Sequence, residues 1–278
     1  MGTSSSSYGP KSEIQFDPPW LDDLASSIID PSQQPDENEE GQTTESDDPN
    51  VAIFAPPKRF RSARFYLGEY AKSRSKGSLK KALGSYSREG MGGASNVAKR
   101  MRVSTVVGAR FFSFLNECQN GTNPRVVDWI RNLTISDLSI QEIAEEIINQ
   151  VIPSTGSLDE ESCRDSMSNA IAEFMGNDSN FDLLHMDNAS IWKVVELFIA
   201  NEAFNRITID IGQLFEREKY SPYESVLALN DMKDYLQEEI SAQIQALKKD
   251  NNNPSTKELN NLLQSAVRIT FEIYEGEL

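Results

Sequence analysis

Acid–base or nucleophilic catalysis in this chain would have to run through a single histidine, His185, among 278 residues. It stands in Leu183-Leu184-His185-Met186, beside apolar neighbours. That is the setting of a structural histidine at a loop-to-helix junction rather than of a catalytic base. Cys118 and Cys163 are too few for a disulfide framework, and neither lies near His185 in sequence, so two reduced thiols and no metal site are expected. Carboxylates are plentiful, but Asp159-Glu160-Glu161 and Glu238-Glu239 fall in amphipathic stretches, where acids form a solvated face. Gly90-Met91-Gly92-Gly93 precedes a helical segment and can aim backbone N–H groups at a phosphate. No Gly-Lys-Ser/Thr follows it and no strand precedes it, so neither the P-loop nor the dinucleotide fingerprint is met. The expected role of the glycines is a turn between helices. No catalytic residue and no cofactor is expected, and the chain is read as a non-enzyme.

The strongest electrostatic feature is a basic middle. Residues 1–55 hold twelve acids and one base, residues 56–110 fourteen bases and two acids, and residues 111–278 twenty-nine acids and twelve bases. The net charge of −16 therefore averages over a dipolar chain. Arg59, Arg61, Arg64, Lys80, Lys81, Arg88, Lys99, Arg100 and Arg102 can neutralise phosphates, and Phe60, Phe65, Tyr66, Tyr70 and Tyr86 are interleaved for stacking. Three roles stay open for this segment: contact with nucleic acid, docking of an acidic protein, and compensation by the acidic parts of the same chain.

The elements that must carry these residues read as helices. Phe60, Arg64, Leu67 and Ala71 share one face, and Ser78 is placed to cap a second helix through Leu79 and Leu83. After the glycines, Val97, Met101, Val107, Phe111, Phe114 and Leu115 predict a third. Ser139-Ile140-Gln141-Glu142, Ser221-Pro222-Tyr223-Glu224 and Ser255-Thr256-Lys257-Glu258 each carry a hydroxyl three residues before a glutamate, the capping-box spacing. Pro153 is expected to stop the helix that the first box opens, and Asn251-Asn252-Asn253-Pro254 to form a turn. Asp159 to Met175 is amphipathic and ends at Gly176. Ile191 to Phe204 is apolar on more than one face, the mark of a buried central helix. Ile207, Ile209 and Ile211 alternate with polar residues as a strand would, but no partner strand is evident, so continued helix is favoured.

Residues 1–55 are rich in Ser, Pro, Gln, Asp and Glu, and too poor in apolar residues to offset ordering entropy. One apolar island, Pro18-Pro19-Trp20-Leu21 with Leu24 and Ile28, suits docking on a partner or on the chain's own body. Gly2 with Ser6 fits the lipid-acceptor pattern, yet acids rather than bases follow, so no membrane attachment is expected. The remaining reading of Gly2, Thr3, Ser4, Ser5 and Ser6 is a small-residue run that can thread a cleft, with the Gly2 amine exposed once Met1 is removed.

Two stretches together resemble the QatB family, a subunit of the bacterial QatABCD anti-phage systems. One is Met1-Gly2-Thr3-Ser4-Ser5-Ser6-Ser7-Tyr8-Gly9-Pro10 with Pro19-Trp20-Leu21. The other is Leu83-Gly84-x-Tyr86-x-Arg88-x-Gly90-x-Gly92-Gly93, continuing to Ala98-Lys99-Arg100. The resemblance implies a bacterial cytoplasmic setting and an accessory role beside an ATPase, a QueC-like protein (QatC) and a TatD-like nuclease. Beside a QueC-like enzyme, which activates a carboxylate for attack by an amine, the accessible Gly2 and the small-residue run after it lead to the expectation that this partner binds or modifies the N-terminus at Gly2.

The expected architecture is all-α: a helical bundle-like body with a long disordered N-terminal tail. Residues 1–57 form the acidic tail, 58–120 a basic helical neck and 121–278 an acidic helical body. The expected function is a non-enzymatic interaction subunit of an anti-phage complex. The alternative is a nucleic-acid-binding adaptor acting through residues 58–110.

Overall fold

The computed structural model describes residues 58–136, 138–152, 156–176, 181–216, 221–248 and 254–278. Among them lie ten α-helices and no strand. In chain order they are α1 (Arg61–Ser73), α2 (Lys76–Ser85), α3 (Ala94–Arg100), α4 (Arg102–Asn120), α5 (Pro124–Ile135), α6 (Ile140–Val151), α7 (Leu158–Met175), α8 (Asn188–Ile211), α9 (Pro222–Leu247) and α10 (Thr256–Gly276). A π-helical segment, Tyr86–Met91, links α2 to α3, and a short 3₁₀ segment, Gly212–Glu216, extends α8. The 207–211 alternation is therefore helical, as favoured. The tail, with Gly2 to Ser6 and Pro18 to Leu21, lies outside the described residues, as do Pro153 and the Asn251-Asn252-Asn253 turn.

Around α8 the other helices are arranged. Its N-terminus is set by Asp187, whose carboxylate accepts the Ser190 N–H at 2.7 Å. From Ile191 to Ala203 nearly every residue is buried, so it has no solvated stripe and needs neighbours on all sides. α4, α7 and α9 supply them. α10 packs against α2, α3, α4 and α9 and buries Leu259, Leu263, Ala266, Val267, Phe271 and Tyr274. Helices drawn from residues 61–120 and from 121–276 thus share one core, and the change from basic to acidic sequence at residue 110 falls within α4.

All three capping boxes form. The Ser139, Ser221 and Ser255 hydroxyls accept the N–H groups of Glu142, Glu224 and Glu258, and each glutamate returns to the cap residue's N–H. Two local expectations are corrected. α2 begins after Ser75, not Ser78. Arg74 ends α1 in the left-handed region (φ 55°), and the Ser75 carbonyl already accepts from Ser78 N at 2.9 Å and Leu79 N at 3.2 Å. The expected single third helix is two, α3 and α4, which meet at Met101, whose ψ of 12° departs from helical geometry.

The glycine-rich stretch is explained by packing. A methyl at Gly84 would run into the Tyr274 carbonyl, and one at Gly90 into the Phe60 ring. Gly92 (φ 77°) and Gly93 (φ 113°) adopt backbone that side chains disfavour, which lets the chain leave the π-helical segment and start α3 at once. The Gly93 N–H donates to the Ser87 carbonyl at 2.9 Å, so this amide serves the turn itself.

Candidate interaction sites

Glu202 and Arg206 stand one turn apart in the buried stretch of α8. Burying either charge alone would be costly, and the fold surrounds the pair with hydroxyls. Glu202 Oε1 accepts from Ser162 Oγ and Ser166 Oγ of α7, both at 2.8 Å. Its Oε2 accepts from Ser104 Oγ of α4 at 2.6 Å and from Arg206 Nε at 3.2 Å. Arg206 Nη1 reaches Asp159 at 3.1 Å and Nη2 the Ser104 hydroxyl at 3.3 Å. Asn205 Nδ2 donates to Ser166 Oγ at 2.9 Å. Burial works against the Arg206 charge, but Glu202 and Asp159 outweigh it and hold the guanidinium above its usual range. This cluster ties α4, α7 and α8 together. The serines were unremarkable in the sequence; the readable signal was a glutamate and an arginine at i, i+4 within an apolar helix.

Beside the cluster an open groove of about 560 Å³ runs between α7 and α8. Glu161, Ser162, Asp165, Asn205, Thr208 and Ile209 are among its walls. Its lining is about half polar and half apolar, with Glu161 and Asp165 as its charged residues and Leu158 and Ile209 as its aliphatic ones.

His185 is exposed and its Nδ1 lies 2.8 Å from Asp182 Oδ2, just before the α8 cap. Cys118 and Cys163 are free and buried. Burial pushes the Cys118 thiol up to about 12 and raises that of Cys163 further. Among the described residues no group of three or more His, Cys, Asp or Glu can hold a metal ion, and no helix is long and apolar enough to cross a membrane.

The basic segment divides. Lys80 Nζ meets Glu277 at 2.6 Å, Arg74 Nη1 meets Asp231 at 2.8 Å, and Arg64 Nη2 donates to the Asp210 carbonyl at 2.6 Å. Arg100 and Arg102 are half-buried, and Arg59 precedes the unit that starts at Phe60. Lys81, Arg61, Arg88 and Lys99 are exposed, and no carboxylate pairs with these four among the described residues. The aromatics divide too. Phe60, Tyr70 and Tyr86 are buried, which removes them as stacking surfaces. Phe60 and Tyr86 stack on each other with centroids 5.3 Å apart, and the Tyr86 hydroxyl donates to Asp210 at 3.0 Å. Burial first, then Asp210, holds that phenol well above its ordinary range. Phe65 alone of the five is exposed, with Tyr66 half-buried beside it.

The described body is all-helical, its buried Glu202 and Arg206 charges close on one another, and a long acidic stretch precedes it in the sequence. Residues 92–274 match the family model described as Qat anti-phage system associated protein QatB. The chain belongs to the QatB family and is a component of an anti-phage defence system. No curated protein and no solved structure matches it.

Proposed function

We propose that the chain is a non-enzymatic interaction subunit of a Qat defence complex in the bacterial cytoplasm. In this reading its N-terminal segment, Gly2 to Ser6, is bound or modified by the QueC-like partner, and Pro18 to Leu21 help dock the tail. The ATPase and the TatD-like nuclease of the system are further partners. The observation that carries the reading is the closed Glu202–Arg206 cluster, a buried set of polar side chains whose members bond to one another and join α4, α7 and α8. That arrangement suits a scaffold. A QueC-like enzyme activates a carboxylate for attack by an amine, and the Gly2 amine is a matching nucleophile on a long tether. Intact-mass measurement of the chain co-expressed with and without the QueC-like protein tests this. A mass increase confined to co-expression and lost in Gly2→Pro is the expected result. An unchanged mass, together with undiminished defence by the Gly2 variant, overturns it.

A second reading, a nucleic-acid adaptor working through residues 58–110, is favoured by one observation. Phe65 stands 61% exposed on α1, between the exposed Arg61 and the Tyr66–Lys81 pair.

A further inference from the structure

We infer that the solvent face of α1 binds single-stranded nucleic acid, one base stacking on Phe65 while backbone phosphates meet Arg61, Lys81 and Arg88. The inference rests on the adaptor reading and gives it a site.

Spacing along α1 puts Arg61, Phe65 and Lys72 on one outward ridge, at steps of four and seven residues. Opposite them Ala63, Leu67, Tyr70 and Ala71 face the core, so the ridge is held on a packed helix. Tyr66 packs against the core and meets Phe65 edge to face, with centroids 5.3 Å apart and planes at 72°. Phe65 is thereby braced on one side and open on the other, as a base-stacking platform requires. Lys81 of α2 lies over the Tyr66 ring at 5.8 Å, which brings a cation to the same face. Ser62 Oγ donates to Glu89 Oε2 at 2.5 Å, so the π-helical segment that carries Arg88 runs beside the start of α1.

Two carboxylates belong to this face. Glu69 is paired with Lys72 at 3.2 Å, and Glu89 accepts from Ser62. Lys76, exposed at the start of α2, adds a further cation. The balance is positive on a chain whose net charge is −16, which is the local field a polyanion would seek. Phe65 separates nucleic acid from an acidic protein segment as ligand, because a flat exposed ring beside cations matches a base and its phosphate together. It separates single strands from duplex, because paired bases do not offer their faces.

The test is fluorescence anisotropy of a labelled oligo-dT strand with the full chain across a salt series. Binding is expected to weaken with salt at a log–log slope of about −2, as for about three phosphate contacts to a single strand. Phe65→Ala is expected to weaken it about fivefold or more, and Phe65→Trp to restore it. Arg61→Glu with Lys81→Glu is expected to abolish it, and the matching duplex to bind more weakly than the strand. All these positions are at the surface, and circular dichroism verifies that each variant is folded. Binding that survives Phe65→Ala and the double charge reversal overturns the site but leaves the adaptor reading standing. No binding even at low salt overturns both. Polyglutamate that binds as tightly as oligo-dT, with no effect of Phe65→Ala, assigns the face to an acidic protein and overturns the proposal.

Discussion

Arg206 Nε and Glu202 Oε2 lie 3.2 Å apart on the central helix, with 6% and 0% of their side chains exposed. Neither charge has access to bulk water, so each depends on the other and on the hydroxyls of Ser104, Ser162 and Ser166. Removing one member leaves the other buried and uncompensated. Arg206→Met is therefore expected to lower stability to urea by about 3–5 kcal/mol. Glu202→Gln should cost a comparable amount, and the double variant less than the sum of the two. Additive losses in a double-mutant cycle would show that the two side chains are not coupled.

The close approach of α2 to α10 depends on a missing side chain. At Gly84 a methyl group would strike the Tyr274 carbonyl, which is backbone and can yield only if the helices separate. At Gly90 it would strike the Phe60 ring, which is stacked on Tyr86. Each alanine substitution is expected to cost on the order of 1–3 kcal/mol, read as a lowered urea midpoint. Gly276→Ala, where nothing lies within 4 Å, should fall within about 0.5 kcal/mol of the parent. Equal effects at all three positions would dissociate the cost from packing.

Glu196 gives a pH dependence of definite sign. It is buried on α8 and accepts a hydrogen bond from Gln245 of α9. Burial raises its carboxyl above the ordinary 4.5, although Gln245, Lys193 and Lys248 pull it back. The folded state thus holds the proton more tightly than the unfolded state does. Stability from this group falls as pH rises from 4.5 through the raised value, and the cost is fully present above it. Glu196→Gln is expected to be more stable than the parent near neutral pH, with the gap closing as pH falls below 4.5. Urea midpoints across that range check it, and a gap that stays constant with pH would show that ionisation of Glu196 is not its cause.

Much of this architecture was written locally. The three capping boxes, the glycine after α7 and the apolar length of α8 could be read from residues within a few positions of each other, because helix caps and amphipathic stripes are short-range properties. The π-helical segment and the start of α2 were less legible. Both depend on how tightly the chain turns between packed helices, and at Gly90 on where the Phe60 ring comes to rest.

The functional divisions needed the whole fold. By composition Phe60, Phe65, Tyr66, Tyr70 and Tyr86 were equivalent aromatics in a basic segment, yet packing turned Phe60, Tyr70 and Tyr86 into the core and left Phe65 outward. In the same way Lys80 was claimed by Glu277, while Arg61 and Arg88 stayed exposed. Glu202 is satisfied by Ser104 and Ser166, 98 and 36 positions away. The sequence by itself determined that the described body would be helical and that a basic segment would sit between acidic ones. Which charges are sealed inside and which face solvent was decided only by tertiary structure, because burial and long-range hydrogen bonds belong to no single helix.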